Sequence, residues 1–134
     1  MIEKIEEDGK ILAIVIRKDY NQKGLNFLTS EEHSFQVGVH NVKKGKRYRA
    51  HKTLPFKKID FLNANKIYLI QEGQTKVDIY NTSDQKILDL FLYAGDLIVF
   101  VSGGHGVTMM ENTKIIEIKQ GPYRGVSEDK IFLE

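Results

Sequence analysis

The chain has 134 residues, of which 41% are hydrophobic and 28% charged, and it carries a net charge of +2 and no cysteine. This is an ordinary globular composition, and the length suits one domain with its own hydrophobic core. The lack of cysteine excludes disulfide scaffolds, thiolate zinc sites, iron–sulfur clusters and cysteine nucleophiles. Any bound metal would therefore need nitrogen and oxygen ligands.

Alternating apolar and polar residues predict β-strands along most of the chain, and helical spacing is nearly absent. A short helical turn is predicted only at Thr29–His33, where a hydroxyl cap precedes two acidic residues. Turn signals separate the strands at short intervals, which favours an antiparallel sandwich or barrel. The ten predicted strands are Ile11–Arg17, Phe35–Val42, Arg47–Lys52, Lys57–Leu62, Ile67–Gln71, Thr75–Tyr80, Lys86–Leu92, Leu97–Val101, Gly106–Met110 and Lys114–Lys119.

Two further segments bear on location and partners. The acidic segment Met1–Gly9 lacks the basic start of a secretory leader, and the apolar run Ile11–Ile16 is too short to span a bilayer. We therefore expect a cytoplasmic protein that does not bind membranes. The basic cluster Lys43–Arg49 is centred on a turn. It is better explained as a solvated hairpin end than as an anion or nucleic-acid surface, and no nucleic-acid partner is expected.

Two glycine-led strands each deliver one histidine. The run Gly45–His51 ends on an imidazole, and the run Gly95–Val107 forms a strand, a glycine-rich turn and a second strand that carries His105. Small β-barrels build ligand or metal pockets at their mouths from such strand ends. We therefore expect His51 and His105 to converge at one end of a closed β-structure.

These motifs resemble the cupins, whose jelly-roll barrel carries two glycine-led motifs with histidine ligands. Gly45, His51 and Gly73 match the first motif, and Gly95, Gly103 and His105 match the second. The resemblance implies one all-β domain over residues 1–134, with a cupin jelly-roll barrel of about ten short antiparallel strands. The cupin-like core covers about residues 27–132. It also implies a homodimer, because cupins often pair through exposed edge strands.

Several short motifs resemble, more narrowly, small cupins associated with capsule and lipopolysaccharide gene clusters. Their order along the chain carries the resemblance, together with the closing Lys-Gln-Gly-Pro-Tyr sequence. The resemblance implies a sugar-like ligand, plausibly a nucleotide-linked sugar used in cell-surface polysaccharide assembly. The motifs are Gln36–Gly38, Lys43–Gly45, Val77–Tyr80, Gly103–Gly106 and Glu117–Tyr123.

The chain departs from the metal-binding cupins at two ligand positions. Thr53 stands where the second histidine of the family's pair is expected, and Lys66 stands near the position of its glutamate. An ammonium group repels a divalent cation, so no metal cofactor is expected. If a metal is bound, His51 and His105 would hold it with a carboxylate such as Glu111 or Glu117.

The sequence thus leaves three functions open: a sugar isomerase or epimerase, a metal-dependent cupin oxygenase or isomerase, and a non-catalytic sugar-binding or regulatory cupin. In the first, His51 or His105 would act as general acid or base near neutral pH, and Lys66 would hold an anionic or carbonyl oxygen. The ligand's hydroxyls or phosphate would be oriented by Gln36, Arg49 and Tyr68.

Two alternative interpretations are structural. Lys66 can instead form an ion pair with Asp78 across a hairpin, and His105 can instead donate to a backbone carbonyl at a tight corner.

Overall fold

The structure is a computed structural model that describes residues 1–56, 62–122 and 124–134. In these ranges the chain forms ten β-strands and one short helix, α1 (Val126–Asp129). The strands are β1 (Ile2–Glu7), β2 (Lys10–Ile16), β3 (Gly24–Phe27), β4 (Gly38–Asn41), β5 (Lys66–Glu72), β6 (Gln74–Tyr80), β7 (Lys86–Tyr93), β8 (Leu97–Phe100), β9 (Gly104–Met109) and β10 (Lys114–Lys119). The chain divides into two compact units, unit 1 (Met1–Tyr20 with Ala64–Glu134) and unit 2 (Asn21–Asn63).

Unit 1 contains two antiparallel sheets. The larger has the strand order β1-β2-β8-β5-β10, and the smaller has the order β7-β6-β9. The hairpin between β1 and β2 turns through Asp8 and Gly9, which both have positive φ (52° and 75°). This is the backbone of a two-residue type I′ turn, for which Asp-Gly is a preferred sequence.

The hydrophobic core of unit 1 lies between these two sheets. The larger sheet supplies Ala13, Val15, Ile98 and other apolar residues, and the smaller sheet supplies Val77, Ile79 and Leu92. The alternation of side chains along each strand places one set of residues on this shared face. The cluster of buried residues is Leu12, Ala13, Val15, Ile70, Val77, Ile79, Leu92, Ile98 and Phe100.

A buried ionic network fixes the turn between β7 and β8. Asp96 is only 4% exposed. Its carboxylate accepts hydrogen bonds from the Arg17 guanidinium (2.9 Å) and from the backbone N–H groups of Lys18 (3.1 Å) and Tyr93 (2.9 Å). Arg17 also pairs with Glu3. A carboxylate with this many donors is stable when buried, so the network ties the start of the chain to this turn.

Unit 2 contains the two-stranded antiparallel sheet β3-β4, in which Gly24 pairs with Asn41 and Phe27 pairs with Gly38. The chain continues without regular strands from residue 47 to residue 56. Thr29 is buried, and its hydroxyl accepts a hydrogen bond from the backbone N–H of Val37 (2.9 Å).

The prediction of an all-β, antiparallel chain is confirmed. Across the described residues the strands form separate sheets of five, two and three strands, and no closed barrel is found. The chain also forms the strands β1 and β3, which the alternation of apolar and polar residues did not predict. The described segments include no helix that is long and apolar enough to cross a lipid bilayer.

Two local predictions are wrong, and a third is not tested by the described residues. The strand predicted at Arg47–Lys52 is wrong, since this segment is irregular, and the helical turn predicted at Thr29–His33 is a series of turns and bends. The strand predicted at Lys57–Leu62 lies almost wholly outside the described residues. The one short helix found in the described ranges lies instead at Val126–Asp129.

Candidate functional site

Five side chains of unit 1 form what we call the His105 cluster: Lys66 and Tyr68 of β5, Phe100 of β8, His105 of β9 and Glu117 of β10. Four of these residues belong to the larger sheet. Strand register brings them together, because Lys66 pairs with Phe100 and Tyr68 pairs with Glu117. Residues directly opposite in an antiparallel pair point to the same face of the sheet. His105 approaches from the smaller sheet, where it pairs with Ile79.

Three aromatic rings form the centre of the cluster. The imidazole of His105 stacks on Phe100, with ring centroids 3.9 Å apart and an interplanar angle of 14°. The Tyr68 ring lies edge-on to both, with its centroid 5.4 Å from that of Phe100 and 6.1 Å from that of His105. Stacked and edge-to-face pairs are the preferred arrangements of aromatic rings, so the His105 ring has a defined orientation.

An ion pair borders the rings. The Nζ atom of Lys66 lies 3.4 Å from Oε1 of Glu117 and 5.8 Å from the centroid of the Tyr68 ring. The Lys66 side chain is 20% exposed, whereas that of Glu117 is 42% exposed. The ammonium group is therefore the more enclosed partner, and the carboxylate reaches toward solvent.

The surroundings of His105 shift its acid–base properties. Burial lowers the pKa of His105 to about 4, and the positive charges of Lys66 and Lys130 act in the same direction, while Glu117 partly opposes them. Burial also raises the pKa of the Tyr68 hydroxyl, with a further contribution from the charge of Glu117. At neutral pH the cluster therefore presents a neutral imidazole and a neutral phenol beside one cation and one anion.

The ring nitrogens of His105 and the hydroxyl of Tyr68 are the polar groups at the centre of the cluster. Among the residues that the structure describes, none forms a hydrogen bond with the ring nitrogens of His105 or with the hydroxyl of Tyr68. In particular, no described backbone carbonyl accepts a hydrogen bond from the His105 ring, which was the alternative interpretation of this residue. Both groups remain available to a ligand.

The turn before β9 places His105. Gly103 has φ +73°, and a Cβ atom on it would lie 2.2 Å from the carbonyl oxygen of Tyr80. Only glycine permits such a close approach of two backbones. A Cβ atom on Gly104 would lie 2.6 Å from Cδ1 of Leu133, so the chain after α1 also passes beside this turn.

The other predicted site residues lie in unit 2. His51 and Arg49 are exposed, and Nδ1 of His51 lies 2.8 Å from the Arg49 carbonyl oxygen. Gln36 is exposed, and its amide donates to the carbonyl oxygens of Ser30 (2.9 Å) and His33 (2.9 Å), which stabilises the turn before it.

The structure thus brings together His105, Lys66 and Tyr68 of the predicted site. Thr53 is exposed in the irregular part of unit 2. The convergence of His51 with His105, which lies in the other unit, stays a prediction.

Sequence reasoning missed Phe100 and gave Glu117 only as a possible metal ligand. The sequence predicted a core stripe of Leu97, Val99 and Val101 on one face of β8, whereas Phe100 lies on the opposite face. The predicted Lys66–Asp78 ion pair is wrong, because Lys66 pairs with Glu117 and Oδ1 of Asp78 lies 3.0 Å from Nζ of Lys86. The period of β10 placed Glu117 on a face with Lys119, but only the pairing with β5 shows which residues it meets.

Within the described ranges, no group of three or more His, Asp or Glu side chains is arranged to hold a metal ion. Comparison with protein-family models, with curated proteins and with solved structures finds no match to this chain.

Proposed function

We propose that the His105 cluster binds a polar, carbohydrate-like small molecule, plausibly a nucleotide-linked sugar used in cell-surface polysaccharide assembly. One observation carries this proposal. The His105 imidazole and the Tyr68 hydroxyl lie beside the Lys66–Glu117 ion pair and form no hydrogen bond with any residue that the structure describes. The sugar identity and the cellular role rest on the resemblance to cupins of polysaccharide gene clusters.

The donors and acceptors of the cluster suit a polyhydroxylated ligand. A neutral imidazole offers one donor and one acceptor, a phenol offers both, an ammonium donates and a carboxylate accepts. A sugar ring presents hydroxyls that also donate and accept, and its C–H face packs on aromatic rings such as those of Tyr68 and Phe100. The half-buried position of the cluster strengthens such hydrogen bonds relative to those in water.

The fold proposal is a cupin-like jelly roll for unit 1. The chain crosses between the two sheets after β5, after β7, after β8 and after β9. Two facing sheets connected by repeated crossovers are typical of jelly rolls, which contain two Greek keys. This strand order supports the proposal, although the chain also carries a second unit.

An isomerisation would use the same groups. For a sugar with a carbonyl group, His105 would accept a proton from the hydroxyl-bearing carbon next to the carbonyl, and the electron pair would move onto the carbonyl oxygen beside Lys66, which gives an enediolate. The hydroxyl proton would pass from the second oxygen to the first, and His105 would return its proton to the former carbonyl carbon, so that the carbonyl ends at the neighbouring position. His51 is the other candidate for this proton transfer. However, an imidazole with a pKa of about 4 is a weak base, and this favours the non-catalytic sugar-binding module as the second candidate function.

Isothermal titration of the full chain with UDP-glucose, dTDP-glucose and glucose tests the binding proposal. We expect His105→Gln and Tyr68→Phe each to weaken binding about tenfold, which is the loss of one good hydrogen bond in an enclosed site. His33→Gln, which removes an imidazole from unit 2, is the matched control and should bind normally. Equal binding by His105→Gln, His33→Gln and the unchanged protein would contradict the site.

Product formation separates the two candidate functions. NMR spectra of glucose, whose open-chain form carries the carbonyl group that the step needs, are followed over hours in the presence of the protein. A change to the spectra of an isomer supports the isomerase, and unchanged spectra support the binding module. Melting temperatures of the variants show whether a loss of binding reflects a loss of folded protein.

A further inference from the structure

A cleft lies within unit 2, at the end of the β3-β4 sheet where Gly24 pairs with Asn41. Its volume is about 380 Å³, within the range of small-molecule sites. Three lysines line it from both sides of the sheet end, since Lys23 precedes β3 and Lys43 and Lys46 follow β4. We call it the three-lysine cleft.

The positive charge of this cleft is not balanced within the described chain. In the ranges that the structure covers, no carboxylate lies within ion-pair distance of Lys23, Lys43 or Lys46. Three lysine side chains of the same charge line one concave surface, and a bound anion would reduce the repulsion between them. The lining surface is mostly apolar, which Val42 and the methylene stems of the lysines can supply.

The backbone around the cleft is held in place. The Asn41 side-chain amide donates to the carbonyl oxygen (3.3 Å) and the side-chain oxygen (3.0 Å) of Asn21, which ties the segment before β3 to the last residue of β4. The turn after β4 is closed by a hydrogen bond from the N–H of Lys46 to the carbonyl of Lys43 (3.2 Å). Nζ of Lys46 also lies 5.6 Å from the centroid of the Tyr48 ring.

We propose that the three-lysine cleft binds a phosphate monoester with a small apolar body. A phosphate monoester carries a charge of about −1.5 to −2 at neutral pH and three strong acceptor oxygens, which match three ammonium donors. Lysine acts as a point charge without the fork geometry that a bidentate carboxylate site uses. The apolar walls then pack against the organic part. The proposal is independent of the function proposed for the His105 cluster.

Phenyl phosphate is the probe for this site, because it joins a phosphate monoester to a small apolar ring. Titration of the full chain, followed by NMR at the backbone amides of Gly24 and Asn41, should give saturable shifts with a Kd below about 1 mM. Inorganic phosphate should bind more weakly because it lacks the apolar body, and phenol more weakly still because it lacks the charge. Added salt should weaken the binding of phenyl phosphate.

Three single substitutions test which lysines bind the phosphate group. Lys43→Gln and Lys46→Gln should each weaken phenyl phosphate binding about tenfold, whereas Lys44→Gln should change it less than about twofold. Lys44 is the matched control, since it lies in the same turn and carries the same charge but does not line the cleft. All three lysines are exposed, so the variants should fold normally.

Three outcomes would overturn the proposal. They are the absence of saturable shifts at Gly24 and Asn41, equal effects of Lys44→Gln and Lys43→Gln, and shifts at His105 in place of those at the cleft. Failure of sugar binding at His105 leaves this prediction intact, because the probes and the variants differ.

Discussion

At the scale of single residues, His105 makes the stability of the fold depend on pH. Its pKa is about 4 in the folded chain, because burial disfavours the imidazolium, against 6.5 for an ordinary imidazole. Between these values the unfolded chain binds more protons than the folded one, so the free energy of unfolding rises with pH. His105 therefore costs no stability above about pH 6.5, and we expect the cost to grow as the pH falls to about 4.

Urea unfolding of the unchanged protein and of His105→Gln, at several pH values between 4 and 7, measures this contribution. Carboxylates also titrate in this range, but they are common to both proteins and cancel in the difference. The free energy of unfolding of His105→Gln should fall less steeply with decreasing pH. Equal pH dependence of the two proteins would show that His105 titrates alike in the folded and unfolded states.

At the scale of elements, the turn before β9 requires glycine at position 103 for two reasons, its positive φ and its close approach to another part of the backbone. Gly9 and Gly103 have nearly the same φ (75° and 73°), but a Cβ atom meets nothing within 4 Å at Gly9 and the Tyr80 carbonyl oxygen at 2.2 Å at Gly103. Gly9→Ala should therefore cost only the backbone strain, about 1 kcal/mol. Gly103→Ala adds a steric clash with backbone and should cost about 3 kcal/mol or more.

Chemical denaturation of both alanine variants gives the two costs, and Gly9→Ala is the matched control for strain. NMR shifts of His105 should also change in Gly103→Ala, because the displaced turn moves β9 relative to β6. Equal costs at the two positions would mean that the close approach to Tyr80 does not constrain the turn.

The sequence predicted most strands of unit 1 because apolar alternation there reflects one buried face. The strands β6 and β8 fall within a residue or two of their predicted positions, and their core residues Val77, Ile79 and Val99 are buried. The alternation at Arg47–Lys52 failed because alternation of charged and small residues needs no buried face. The strand β1 was not predicted because charged residues outnumber its two apolar residues, Ile2 and Ile5, so the segment shows little alternation.

The candidate site was only partly predictable for a related reason. His105 is recognisable as the histidine after a glycine-rich turn, Lys66 as the residue near the glutamate position of the cupin motif, and Tyr68 as a residue on the same strand face as Lys66. Phe100 and Glu117 join them only through the pairings of β5 with β8 and β10, which connect residues far apart in the chain. Single-sequence periodicity gives the faces of each strand but not which strands are neighbours.

At the scale of the whole molecule, the two units differ in how their sheets are supported. β2 is paired on both sides, by β1 and by β8, and Leu12, Ala13, Ile14, Val15 and Ile16 are all buried. Among the described residues of unit 2, β3 and β4 pair only with each other, and Leu25 and Phe27 are 44% and 58% exposed. The homodimer expected through exposed edge strands stays a prediction at this scale.

Hydrogen exchange should separate the two units. An isolated two-stranded sheet is marginally stable, whereas amides of a doubly paired, buried strand exchange only in large openings. We expect the amides of Ala13–Val15 to exchange at least about a hundredfold more slowly than those of Gly38–Asn41. Exchange is read residue by residue in NMR spectra, with the exposed residues at 52–56 as a fast reference. Comparable rates in β2 and β4 would mean that unit 2 opens only when the core of unit 1 does, and that the two units fold as one cooperative body.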